Sequence, residues 1–168
     1  MSTKLIAFDQ SLNITGYSIF VDDVLVSYDK FDTSNGVDTS IKLKEIRDII
    51  SSLLDEQKPN QIAFEEIQLQ QIPGSSAHGN VETFKKLAYV QAIFLEICAE
   101  RQLEYSIVPS VSWKSTCGIK GRGRAEQKKN AQVYVLHEYG IKPIQDIVDS
   151  ICIGMHVIEE ANKETNWE

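Results

Sequence analysis

No stretch of this chain approaches the roughly 20 apolar residues needed to cross a bilayer, and its first residues read as a strand rather than a charged leader and apolar segment. A soluble, cytoplasmic protein with no membrane partner is expected. Cysteine is scarce: Cys98, Cys117 and Cys152 are an odd number with no close pair, which fits neither a disulfide framework nor a zinc knuckle. They are expected as reduced thiols, with Cys98 and Cys152 in apolar surroundings on helices and Cys117 more exposed in a polar loop. The three histidines, His78, His137 and His156, fall at no metal-ligand spacing. Repeats, low-complexity tracts and a second-domain linker are also lacking, so one domain over residues 1–168 is expected, with 42% hydrophobic content sufficient for its core.

Net positive charge is lacking too. At −7 the chain would ordinarily be a poor partner for a polyanion. The distribution reverses that reading, because Lys114, Lys120, Arg122, Arg124, Lys128 and Lys129 face only one acid, Glu126, between residues 112 and 130. A basic segment on an acidic body suits a protein that grips a polyanion at one place and holds metal with carboxylates at another.

Residues 4–9 (KLIAFD) have the apolar density of a buried strand that ends on an acid. Residues 16–21 and 25–31 are two more β-rich runs, separated by the turn pair Asp22 and Asp23. Thr39 or Ser40 can cap a helix that carries apolar residues at intervals of three and four as far as about Pro59. Residues 61–65 (QIAFE) form a fourth strand ending on carboxylates, and residues 70–80 read as a mobile loop. A long helix is expected over 81–101, a fifth strand over 104–108, a basic loop, a helix over 124–139 closed by Gly140, and a last helix over 144–161. The order βββαβαβαα describes an α/β domain with a mixed five-stranded sheet flanked by helices, an order that the RNase H-like fold shares with others.

Acids stand at two strand ends, Asp9 and Glu65, and two more, Asp146 and Asp149, lie three apart on one face of the last helix. Strand ends at one sheet edge can bring all four together. Carboxylates packed that closely raise one another's pKa unless cations neutralise them, so the cluster implies bound metal. Oxygen donors without a histidine or cysteine set point to Mg²⁺ or Mn²⁺. Two such ions would activate a water, orient a phosphate and stabilise the leaving oxygen of a phosphodiester. Asp146 could alternatively cap the final helix.

These residues carry a family resemblance. Residues 8–20 (FDQSLNITGYSIF) look like the first motif of RuvC-type Holliday junction resolvases, AFEEIQ like the second and DIVDSICIG like the third. Between them, VSWKSTCGIKGRGRAEQKKNAQV resembles the basic, glycine-containing stretch before the family's penultimate helix, and the match runs in order over about residues 5–159. The chain resembles the compact versions encoded by bacteriophages. The resemblance implies an RNase H-like fold and a Mg²⁺-dependent (or Mn²⁺-dependent) structure-selective endodeoxyribonuclease, with two metals per site. Asp9, Glu65, Asp146 and Asp149 would be its metal-binding catalytic set, and Glu66 is the adjacent alternative to Glu65.

The resemblance also implies DNA contacts from Lys114 and from Lys128 or Lys129, within a DNA-binding set that includes Lys120, Arg122 and Arg124. Gly118, Gly121 and Gly123 would let the loop backbone approach the duplex. The partner would be branched DNA, and the two-fold symmetry of a four-way junction suits a homodimer, with apolar faces of the 81–101 helix as the candidate interface. One departure stands out: where bacterial members often carry an aromatic residue three positions after the second-motif acid, this chain has Gln68. Trp113 could stack on a base or anchor the basic loop. Competing readings are an RNase H-like nuclease acting on RNA, a non-catalytic nucleic-acid-binding protein, and an actin-like ATPase, for which 168 residues leave little room.

Overall fold

The computed structural model describes residues 2–69 and 77–165, the side chains of 77–80 excepted. In chain order the elements are β1 (Lys4–Asp9), β2 (Ile14–Val21), β3 (Val24–Asp32), α1 (Thr39–Gln57), β4 (Gln61–Glu65), α2 (Ala77–Arg101), β5 (Glu104–Val108), α3 (Ser110–Thr116), α4 (Arg124–Tyr139) and α5 (Gln145–Thr165). The strands form one sheet in the order β3-β2-β1-β4-β5. β1 to β3 are an antiparallel meander, and β4 and β5 add in parallel after helical crossovers. Asp22 and Asp23 both take positive φ in the β2–β3 turn, as a tight hairpin with right-handed strand twist requires.

The alternation of β1 and β4 separates two cores. Ile6 and Phe8 of β1, with Ile62 and Phe64 of β4, face α1 and α2, where Phe94 meets Phe8 edge-on at 5.0 Å and Phe64 at 5.1 Å. Leu5 and Ala7, with Ala63, face the opposite way, towards α4 and α5. Ala7 and Ala63 are register partners, so the centre of that face is shallow. Two glycines complete the close fit of α5. A Cβ on Gly16 would lie 2.2 Å from the main-chain carbon and oxygen of Asp146, and one on Gly154 would lie 2.3 Å from the Phe20 ring.

The structure departs from expectation in several places. The segment read as a basic loop begins with the helix α3, and this buries Cys117 at 7% exposure instead of leaving it in solvent. All three cysteines are free and buried. Asp38, not Thr39 or Ser40, stands before α1, where its main-chain oxygen accepts from Ile41 and Lys42 without a side-chain cap. Asp146 lies inside the first turn of α5, one residue past its start, and so does not cap it. Helix α2 starts at Ala77, and the remainder of the expected 70–80 loop, with Pro73 and Gly74, lies outside the described residues. The side chain of His78 does too. Val90, Phe94, Ile97 and Cys98 of α2 belong to the core, which leaves Val81 and Tyr89 as its large exposed apolar side chains. Among the described residues, no helix is long and apolar enough to cross a membrane.

Candidate nuclease site

Side-chain direction at the strand ends decides where the acids go. Asp9 continues the parity of Leu5 and Ala7, and Glu65 that of Ala63, so both project to the sheet face covered by α5. The first turns of α5 supply Asp146 and Asp149 above them, brought close by the missing side chain of Gly16. All four acids line one cleft of about 710 Å³, together with Lys114, Arg124 and Lys128.

Burial and like charge dominate their electrostatics, offset in part by lysine and arginine. The Asp9 carboxyl is held well above the usual carboxylate range by burial first, and then by Asp149, Glu65 and Asp146. Burial and Asp149 raise Glu65 to about 7, against the opposing influence of Lys114 and Arg124. Asp149 rises to about 6 through burial, with the Gln145 hydrogen bond pulling it down and Asp146 pushing it up.

Two amides brace the acids. The side chain of Gln10, 5% exposed, donates from Nε2 to the Glu65 main-chain oxygen (2.6 Å) and accepts from the Glu65 N–H at Oε1 (3.1 Å). It joins the ends of β1 and β4 just beyond their last paired residues, Phe8 and Phe64. On α5, Gln145 donates to Asp149 Oδ1 (2.6 Å) and accepts from Gln132 of α4 (3.0 Å). Neither glutamine carries a sequence signal, since each matters only through a tertiary contact.

Carboxylate oxygens beside a raised proton affinity are the donors that a hard divalent cation takes, so the residues present fit Mg²⁺ or Mn²⁺. Among the described residues, no three His, Cys, Asp or Glu side chains converge as a finished cage. One Asp149 oxygen is engaged by Gln145, and the repelling carboxylates would have to turn inward to share an ion.

The basic residues divide. Lys114, Arg124 and Lys128 line the cleft, whereas Lys120, Arg122 and Lys129 are exposed outside it. The division follows from α4: Arg124, Gln127, Lys128 and Ala131 form one helical stripe along the cleft, and Lys129 falls off that stripe. Among the described residues none of the six basic side chains is in an ion pair. Gly118, Gly121 and Gly123 all have positive φ, and Gly123 itself borders the cleft. Glu66, the adjacent alternative to Glu65, is exposed but still edges the cleft. Strand alternation stops at Glu65, and the Glu66 N–H turns to the Val108 carbonyl (2.9 Å).

Trp113 is buried rather than offered to a base, and Gln68 is exposed at the cleft edge near partly buried Phe84. His156 lies off the cleft and pairs through Nδ1 with Thr116 Oγ1 at 2.7 Å.

No protein-family model matches the chain. Curated relatives do. The crossover junction endodeoxyribonuclease RuvC of Dictyoglomus thermophilum is 25% identical over 158 residues, covering 92% of this chain and 95% of the relative. RuvC of Legionella pneumophila (strain Lens) is 25% identical over 158 residues, covering 91% and 85%. The chain resembles RuvC. The T. thermophilus RuvC structure in complex with a Holliday junction substrate superposes with a TM-score of 0.73 over 96% of each chain, at 14% identity. The fold is thus the RNase H-like fold of RuvC, as the motif order leads one to expect, and this RuvC-like chain places Asp9 and Glu65 at the ends of the adjacent strands β1 and β4, with Asp146 and Asp149 on α5.

Proposed function

We propose that this RuvC-like chain is a divalent-metal-dependent endonuclease that cuts branched DNA, four-way junctions foremost, and acts as a homodimer. The observation that carries the reading is one cleft with Asp9, Glu65, Asp146 and Asp149 beside Lys114, Arg124 and Lys128. Acids alone would repel a phosphodiester, and cations alone would only bind it. Their adjacency allows a strand to be held while hydrolysis proceeds beside it.

The RuvC relatives, named for cutting crossover junctions, and the Thermus fold, seen with a Holliday junction, support the choice of substrate. Asp9, Glu65, Asp146 and Asp149 would hold two Mg²⁺ or Mn²⁺ ions, which supply Lewis-acid activation of water and stabilisation of the leaving oxygen. The chain's own part is to fix the carboxylates through Gln10 and Gln145, and to seat the phosphates on Lys114, Arg124 and Lys128. Lys120, Arg122 and Lys129 extend the positive surface outside the cleft along the DNA arms. Phe84 and Leu87, which also line the cleft, would give an unstacked base an apolar surface that Gln68 does not. Two such sites in a homodimer match the two opposed strands of a four-way junction. A cytoplasmic setting, in a bacterium or a phage-infected host, belongs to the same reading.

The test is cleavage of end-labelled four-way junction, Y-shaped, linear duplex and RNA substrates with Mg²⁺ or Mn²⁺. Paired nicks on the branched DNA support the reading. Preference for RNA would move it to an RNase H-like ribonuclease, and binding without cleavage to a non-catalytic junction binder.

A further inference from the structure

Trp113 of α3 is 3% exposed on the wall of the carboxylate cleft, and its indole Nε1 is enclosed by protein with no hydrogen-bond partner. A buried donor left unpaired is costly, so its retention calls for a use. Four buried side-chain polar atoms among the described residues lack a hydrogen-bond partner; the others belong to Ser18, Gln91 and Arg47, the last ion-paired with Glu96, and none of these lines this cleft. The Trp113 N–H is thus the unpaired donor that belongs to the site.

Two neighbours of opposite charge flank the ring. Lys114 places Nζ 5.3 Å from the ring centroid, a cation over an aromatic face. Glu65 lines the same cleft as the ring, and its carboxylate makes no hydrogen bond with the unpaired indole N–H. The backbone explains the proximity: Glu65 is the register partner of Val108, Pro109 leads straight into α3, and the Trp113 N–H of the main chain donates to the Pro109 carbonyl (3.3 Å). Trp113 is therefore tethered one helical turn from Pro109, the residue that follows the register partner of Glu65.

We propose that Trp113 is a positioning residue for this cleft: its indole N–H donates to the Glu65 carboxylate when that carboxylate turns inward to hold a cation, while its ring face steadies Lys114. This rests on the metal-dependent reading above and deepens it by naming what sets the orientation of Glu65. The donor and the face are separable, because phenylalanine keeps an aromatic face and lacks the N–H.

The test uses ¹⁵N-labelled full-length protein carrying Trp167→Phe, which leaves Trp113 as the sole tryptophan. Its indole N–H resonance is expected to move when Mg²⁺ is added, and in metal-free protein to move with Glu65→Gln but not with Glu66→Gln. Titration calorimetry with Mn²⁺ is expected to show affinity lowered about tenfold by Trp113→Phe. Should Trp113→Phe fail to fold, incorporation of benzothienylalanine, which has the shape of tryptophan with sulfur in place of N–H, gives the same comparison. An indole resonance unmoved by both Mg²⁺ and Glu65→Gln overturns the proposal, as does unchanged Mn²⁺ affinity in the variant that lacks the N–H. A moving indole in a protein that cuts no branched DNA supports the Trp113 contact and counts against the nuclease reading. Paired nicking with an unmoved indole overturns the positioning role alone.

Discussion

Replacing Gly16 by alanine separates the fold from the site. The new Cβ would lie 2.2 Å from the Asp146 main-chain carbon and oxygen and 2.6 Å from the Ile147 nitrogen. These are backbone atoms that cannot rotate away, so the start of α5 must retreat by about 1 Å to reach ordinary contact. The retreat carries Asp146 directly and Asp149 with it, away from Asp9 and Glu65 on the sheet. Overpacking of this kind costs about 1–3 kcal/mol of stability, and a displacement of about 1 Å in reacting groups costs about 100-fold in rate.

Gly154→Ala is the matched control. It also overpacks α5 on β2, against the Phe20 ring at 2.3 Å, but about two turns further along the helix. Both variants are expected to melt earlier than wild type. At a temperature where each is folded by circular dichroism, single-turnover cleavage of a four-way junction should fall about 100-fold in Gly16→Ala and stay near wild type in Gly154→Ala. Wild-type cleavage by folded Gly16→Ala, or an equal loss in Gly154→Ala, would refute the argument that this glycine sets the distance between helix and sheet acids.

Further outcomes follow from the same geometry. Glu65 and Asp149 titrate higher in the fold, at about 7 and about 6, than in an unfolded chain, so across that window the folded state binds more protons and metal-free stability falls as pH rises. The Glu65 shift alone corresponds to roughly 3 kcal/mol. Thermal melts in chelator should therefore drop from pH 5 to pH 8, the drop should shrink in Asp149→Asn, and Mg²⁺ should restore stability at pH 8. Melts that rise over that range, or fall as steeply in Asp149→Asn, would contradict the repulsion. Phe94→Ala removes the ring that joins Phe8 to Phe64 and should cost about 3–5 kcal/mol in urea denaturation. A cost below about 1 kcal/mol would mean that the α2 side of the sheet is loosely packed. Lys128→Gln should weaken junction binding and flatten its salt dependence more than Lys129→Gln, because Lys128 faces the cleft. Equal effects would show that the basic segment acts only as diffuse charge.

Much of this was legible in the chain itself. Lys4–Asp9 and Gln61–Glu65 are apolar runs ended by an acid, and their bounds are those of β1 and β4. Gly140 ends α4 in the left-handed conformation that its position in the sequence suggests. The odd-numbered Ala7 and Ala63 announce a close neighbour on the face where Asp9 and Glu65 project.

What the sequence hid depends on contacts between distant parts. Helix α3 is seven residues long and too short to show a hydrophobic period, so its burial of Trp113 and Cys117 passed for loop. Gln10 sits in a polar turn, and only the approach of β4 gives its amide two partners. The choice between Lys128 and Lys129 becomes decidable once α4 starts at Arg124, since the stripe of Arg124, Gln127, Lys128 and Ala131 then excludes Lys129. That periodicity was present in the sequence and could have been used.

The most direct measurement is cleavage of a labelled four-way junction by wild-type protein and by folded Asp9→Asn, each with Mg²⁺ and with chelator. Paired nicks are expected from wild type with Mg²⁺ and none in the other three conditions. Nicking that survives Asp9→Asn, or that proceeds in chelator, would contradict a metal-holding carboxylate cleft as the seat of the reaction.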